Sequence, residues 1–356
     1  MKSLAALVLG AMLTIEQHDG HRSGQDGGSV SVSADGRYIA FVTYARLADA
    51  DTDAASDVYV FDRMRQQVTF ESAGAARAAN CLHPHISGDG RYLVYQADGT
   101  VVFRDRLQDD TRLAGDGRQP SVTDDGRTVV FTRHSDVYAM DVSSGETRRV
   151  NLDVPAPNGT TVSSISPSAS ADGRYVAFAA IPPFAGPRPP ASDVFVRDTQ
   201  THGTRRVGHG WSPSISGDGR YVGFVGPSDG LNHVFLADLQ TGATRLVTAS
   251  VKRGRANGSS ANPRLSANGR FIVFQSEASD LVPEEDINLL WDVFLHDRVT
   301  GTTSRISGDP GGVWMEPSTG PAIDGSGSIV AFSSRHPTGA EDKDNDFDLY
   351  VLTLAR

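Results

Sequence analysis

Residues 33–41 read Ser-Ala-Asp-Gly-Arg-Tyr-Ile-Ala-Phe, and residues 87–95 repeat the phrase as Ser-Gly-Asp-Gly-Arg-Tyr-Leu-Val-Tyr. Its centre returns at Asp125-Gly126-Arg127, Asp172-Gly173-Arg174, Asp218-Gly219-Arg220 and Asn268-Gly269-Arg270, and a degenerate seventh copy runs from Asp324 to Phe332. The turn glycines at 36, 90, 126, 173, 219, 269 and 327 lie 36 to 58 residues apart. Self-similarity at such periods marks a repeat architecture, in which one supersecondary unit is used many times because it cannot bury its own apolar faces.

The unit is β-structured. Asp-Gly or Asn-Gly between two alternating segments is a hairpin signal, because these residues tolerate the positive φ of tight turns. A short strand such as Pro213-Ser214-Ile215-Ser216 precedes the turn, and one rich in β-branched and aromatic residues, such as Arg220-Tyr221-Val222-Gly223-Phe224, follows it. A third strand comes next in every copy, as in Asp57-Val58-Tyr59-Val60 and Asp193-Val194-Phe195-Val196, closed in six copies by an Asp able to accept backbone N–H groups of the next turn. A polar hairpin then leads to a fourth strand. Four antiparallel strands repeated radially form a propeller. The expected fold is therefore all-β, a seven-bladed β-propeller over residues 13–356. The last copy lacks a fourth strand at its C-terminal end, and Leu13-Thr14-Ile15-Glu16 matches Val68-Thr69-Phe70-Glu71, the fourth strand of the first copy. An N-terminal strand is thus expected to complete the last blade and close the ring.

The phrase Ser-x-Asp-Gly-Arg-Tyr followed by Asp-Val-Phe-Val-x-Asp resembles the TolB-like WD40-like (PD40) repeat, over nearly the whole chain. TolB carries an α/β domain ahead of its propeller, and the residues before Ser29 are too few for one. Propeller-bearing serine peptidases are similar too, but need a hydrolase domain with Gly-x-Ser-x-Gly. The resemblance therefore implies a fold and not an activity.

Lys2 and the apolar run Leu4 to Leu13 have the charge and length of a signal peptide, so residues 1–12 are a candidate leader and the expected location is periplasmic or secreted, with cytoplasmic the alternative. The run is too short to span a bilayer as a helix. The formal charge of -10, with no Lys/Arg-rich stretch, repels polyanions and argues against nucleic acid as a partner. Cys81 is the only cysteine, which excludes an intrachain disulfide and a multi-cysteine metal site.

Two constellations are candidates for chemistry. Acidic clusters stand ahead of three third strands: Asp49, Asp51, Asp53 and Asp57 in blade 1, Glu284, Asp286, Asn288 and Asp292 in blade 6, and Asp342, Asp344 and Asp348 in blade 7. Alternating oxygen ligands on a short loop suit a hard cation, and calcium is the expected ion. The spacing resembles the Asp-x-Asp-x-Asp loops of calcium-binding propellers, although the usual glycine is replaced by Ala54, Leu289 or Asn345. The alternative is a solvated acidic loop whose last Asp caps a turn.

The second constellation is the first strand of each copy, which lines the central channel. Aligned on its proline, most copies carry small hydroxyls there, and His83, His85 and Arg264 are the exceptions; His209 and Trp211 precede the fifth such strand. Imidazoles and a guanidinium near a channel mouth suit an anionic ligand, a metal or proton transfer. Two readings follow. The first is a monomeric binding or interaction scaffold for a protein, small-molecule or saccharide ligand. The second is an enzyme of lyase or cyclase type at the channel mouth. A deep channel on which His83, His85 and Arg264 converge favours the enzyme, and a flat mouth with scattered side chains favours the binder.

Overall fold

The computed structural model describes residues 9–15, 29–73, 79–152, 154, 163–181, 192–252, 254–284, 288–308, 314–337 and 347–354. These form seven four-stranded antiparallel sheets, so the chain is a seven-bladed β-propeller. Blade 1 spans residues 30–70, blade 2 81–116, blade 3 118–149, blade 4 163–209, blade 5 211–246 and blade 6 260–305. Blade 7 combines three strands from 318–354 with Leu9–Ile15, which pairs antiparallel with Asp348–Leu354 and sets Leu13 opposite Val351 and Ile15 opposite Leu349. The ring is closed by the N-terminal strand, as the Leu13-Thr14-Ile15 match indicates, and that strand starts four residues earlier, at Leu9. No helix among the described residues is long and apolar enough to cross a membrane.

Each strand alternates its faces, so every blade offers apolar side chains to both neighbours, and the core lies between blades. Ala40, Val58 and Val60 of blade 1 pack against Ile86, Leu93 and Tyr95 of blade 2, and Phe271, Val273 and Leu295 of blade 6 pack against Val330, Phe332 and Tyr350 of blade 7. Within blades, aromatic pairs on the second and third strands stack, with ring centroids 6.0 Å apart for Phe178 and Phe195 and 5.7 Å for Phe332 and Tyr350.

The repeated phrase is the device that joins one blade to the next. In blade 2 the Asp89 Oδ1 accepts from the Ser87 hydroxyl at 2.7 Å and from the Arg91 backbone N–H at 3.0 Å, which shapes the turn. Gly90 sits there at φ 73°, and a Cβ on it would fall 2.0 Å from a ring carbon of Tyr38 in blade 1. Arg91 holds Asp105, at the end of the third strand, through bonds of 3.0 and 2.7 Å, and Asp105 also accepts from the backbone N–H groups of Leu107 and Gln108. The glycine is therefore both a turn residue and the flat surface on which the preceding blade's tyrosine lies.

Past the inner strands the ring tightens. The backbone N–H of Asp124 donates to Ala171, that of Ala171 to Gly217, that of Ala267 to Gly325 and that of Gly325 to Ala34. A Cβ on Gly325 would lie 2.9 Å from the Ala34 carbonyl oxygen, so the belt is tight at that position.

Candidate functional site

The inner strands of six blades carry a proline: Pro84, Pro120, Pro167, Pro213, Pro263 and Pro321. Proline has no N–H for the ladder, and each of these strands shows a register shift across it, for example between Leu82, opposite Gln96, and His85, opposite Val94. The residue before the proline takes a left-handed backbone in all six: His83, Gln119, Ser166, Ser212, Asn262 and Gly320, with φ of 48 to 64°. This is a β-bulge used six times, and bulges re-aim side chains. Blade 1 has Val30 in place of the proline, and its ladder runs without a shift.

These strands enclose a cavity of about 780 Å³ lined by His83, His85, Gln119, Asn262, Arg264, Gln275, Trp291 and a majority of small residues. The proline alignment found His83, His85 and Arg264 there. It missed Gln275 and Trp291, which reach the channel from a second strand and from a loop before a third strand. His209 and Trp211 are not among the lining residues; the His209 Nδ1 lies 3.1 Å from Asp193, which Arg206 also holds.

The position after the proline stitches blades together. The Ser31 hydroxyl accepts from the Ile86 N–H, and the Ser168 hydroxyl accepts from the Ile215 N–H, both at 3.2 Å. His85 plays the same part with its imidazole, since its Nδ1 accepts from the Val122 N–H at 3.3 Å. That bond leaves the proton on Nε2, which lies 3.4 Å from the Ser121 hydroxyl. Burial first, and then the charge of Arg264, push the His85 pKa down to about 4, so the ring is neutral at pH 7.

Arg264 occupies that position in blade 6 and makes no such stitch. Its Nη1 donates to the Pro263 carbonyl at 3.0 Å, and it has no carboxylate partner among the described residues. It keeps surface open to the channel while protein surrounds it, and this loss of bulk solvent lowers its pKa from the ordinary value. Asp124 is the carboxylate among the lining residues, at the narrow belt end, and its pKa is raised by burial and then by Asp125 and Asp89.

On blade 1, Asp51, Asp53 and Asp57 each bring a carboxylate oxygen within 4.8 Å of the other two. Asp51 is 6% exposed and Asp57 7% exposed. Tyr59 donates to Asp51 Oδ2 at 2.7 Å, while Asp51 Oδ1 is buried without a hydrogen-bond partner. Ser72 donates to Asp57 Oδ1 at 2.6 Å, and the Ala55 N–H donates to Asp53 Oδ1 at 2.8 Å. The Arg46 guanidinium bonds the Asp53 backbone carbonyl. Burial above all, with the charges of Asp51 and Asp53 adding to it, raises the Asp57 pKa to about 6 against the Ser72 hydrogen bond. Asp49 is exposed and outside the cluster. The arrangement is an acidic cluster able to hold a hard cation.

Blade 6 differs. Glu284 is exposed, and the Asn288 amide nitrogen points to the Trp314 carbonyl at 2.6 Å and to Asp292 at 3.5 Å. Asp292 also accepts from Ser307 at 2.6 Å and has Arg305 at 3.8 Å. In blade 7, Asp348 is buried; Asp342 and Asp344 lie outside the described residues, as does Asp286 of blade 6.

No protein-family model matches the chain, and no curated protein matches it. Solved structures do. An oligogalacturonate lyase in complex with manganese is 16% identical with a TM-score of 0.60, over 92% of this chain and 89% of that one. The β-propeller domain of the trilobed protease from Pyrococcus furiosus is 12% identical with a TM-score of 0.59, over 92% and 93%. The TolB protein of Agrobacterium tumefaciens is 16% identical with a TM-score of 0.51, over 84% and 98%. The sequence repeat and the ring agree: this chain has the fold of a TolB-like seven-bladed propeller.

Proposed function

We propose that the protein is a binding scaffold whose central channel takes an anionic small molecule or acidic saccharide. One observation carries this reading: Arg264 presents a guanidinium inside the ring with no carboxylate partner among the described residues. A charge on the wall of a concave channel, where low-dielectric protein focuses its field, attracts an opposite charge more strongly than one on an open surface. Gln119, Asn262 and Gln275 add neutral donors, and Trp291 adds an apolar plane of the kind sugar rings pack on. That one structural neighbour is an oligogalacturonate lyase supports an acidic saccharide as the first ligand to try. The lyase or cyclase alternative rests on His83 as the proton carrier, because both nitrogens of His85 are engaged between blades. Calcium, held by Asp51, Asp53 and Asp57, is the second element of the reading, and the Lys2-led apolar run supports an extracytoplasmic setting.

Isothermal titration with digalacturonate and with neutral maltose tests it. Digalacturonate binds, maltose does not, and Arg264→Met abolishes the binding while leaving the melting temperature in place. Equal binding of both sugars, or digalacturonate binding that survives Arg264→Met, overturns the assignment. Unsaturated product from digalacturonate, lost in His83→Ala, decides for the enzyme.

A further inference from the structure

The third strands of several blades begin with a carboxylate, and the outer strand supplies its counter-ion. Arg149 lies opposite Tyr138 and holds Asp136 at 3.0 Å; Arg206 lies opposite Phe195 and holds Asp193 at 2.7 Å; Arg305 lies opposite Phe294 and stands 3.8 Å from Asp292. Where the carboxylate is absent, so is the arginine: blade 5 has His233 at that place and Leu246 opposite Phe235. Blades 1 and 7 depart from the pairing: blade 7 starts its third strand with Asp348 and has Thr14 opposite Tyr350, and blade 1 departs with a cluster. It has Asp57 at the start of the strand, but Phe70 opposite Tyr59, and neither Asp57 nor Asp51 has an ion-pair partner among the described residues. Among the described residues, blade 1 therefore brings more carboxylates together than blades 3, 4 and 6 and lacks the arginine they use, while Asp51 Oδ1 is buried with no hydrogen-bond partner.

We infer that a divalent hard cation bound by Asp51, Asp53 and Asp57 takes the place in blade 1 that the outer-strand arginine fills in blades 3, 4 and 6. This rests on the cation reading above and adds what the ion replaces. Asp51 and Asp57 are both buried, and a buried charge without a partner destabilises the fold that holds it. Oxygen-only donors on a short loop suit calcium, or magnesium and manganese with retained waters. The ion would tie the loop that carries Asp51 and Asp53 to the third strand through Asp57, with Tyr59 and Ser72 orienting two of the carboxylates as outer-shell donors.

The test is to supply the arginine. Thermal melts of the full chain in calcium and in chelator should differ by several degrees for the parent. Phe70→Arg should melt in chelator close to the parent in calcium, and calcium should raise it no further. Phe70→Met, which removes the ring without adding charge, should keep the calcium response. If Phe70→Arg does not fold, Asp57→Asn serves: removing one uncompensated charge should raise the melting temperature in chelator and abolish the calcium response. A parent indifferent to calcium, magnesium and manganese sinks the cation reading itself. A parent that responds, with Phe70→Arg responding equally or with Asp57→Asn melting lower in chelator, sinks the replacement and leaves the cation.

Discussion

Gly126 and Gly145 share a backbone conformation and differ in surroundings, so they isolate the strength of the joint between blades. Their φ values are 70° and 71°. A Cβ on Gly126 would fall 1.8 Å from a ring carbon of Tyr92, whereas one on Gly145 meets nothing within 4 Å. Alanine in the left-handed region costs about 1–2 kcal/mol at either place, and the entropy it removes from the unfolded chain is the same for both. Only Gly126→Ala must also displace Tyr92, whose ring stacks on Phe103 with centroids 5.4 Å apart, and forced repacking of that kind costs about 1–3 kcal/mol. Gly126→Ala should thus be less stable than Gly145→Ala by about 1–3 kcal/mol in urea denaturation. Equal losses would refute the reasoning, because the turn would then be an isolated hairpin feature and not the seat of a neighbouring blade's tyrosine.

Two further outcomes follow from the ring. Removing residues 1–15 strips five paired residues from Asp348–Leu354; at about 1 kcal/mol net per hydrogen bond the loss is several kcal/mol, and the bared edge should aggregate, so a truncated chain that melts like the parent would disprove closure. His85 gives a pH dependence: its pKa is about 4 in the fold and about 6.5 in an unfolded chain. Between those values only the unfolded state takes the proton, so stability is full above the upper value and falls as pH drops toward the lower. His85→Ser, the residue blades 1 and 4 use there, should flatten that acid limb in melts across the window; an unchanged slope would show that His85 is not its source.

The fold was readable because its determinants are local. Asp-Gly turns, an arginine two residues from the Asp and an Asp ending the third strand announce the blade before any packing is known, and the fourth-strand likeness of Leu13-Thr14-Ile15 announces the closure. The channel was readable only in its first ring, where the prolines align His83, His85 and Arg264. Trp291 and Gln275 escaped because they come from other strands, and His209 looked like a rim residue because nothing local reveals its bond to Asp193. The letters of the carboxylate–arginine pairing were all present, Arg149, Arg206 and Arg305 against Phe70, but they gain meaning only through the register between third and fourth strands.

The six bulged positions before the prolines hold His, Gln, Ser, Ser, Asn and Gly on one backbone conformation. A place that accepts an imidazole, two amide types, a hydroxyl and a bare hydrogen without altering its strand is an exchangeable seat. The ring thus separates two tasks that most binding sites entangle. The turns and belts fix the walls, and the seats vary the side chains offered beside Arg264. A new specificity could be written by changing residues 83, 119, 166, 212, 262 and 320 together with position 264, around a cavity whose shape is already paid for.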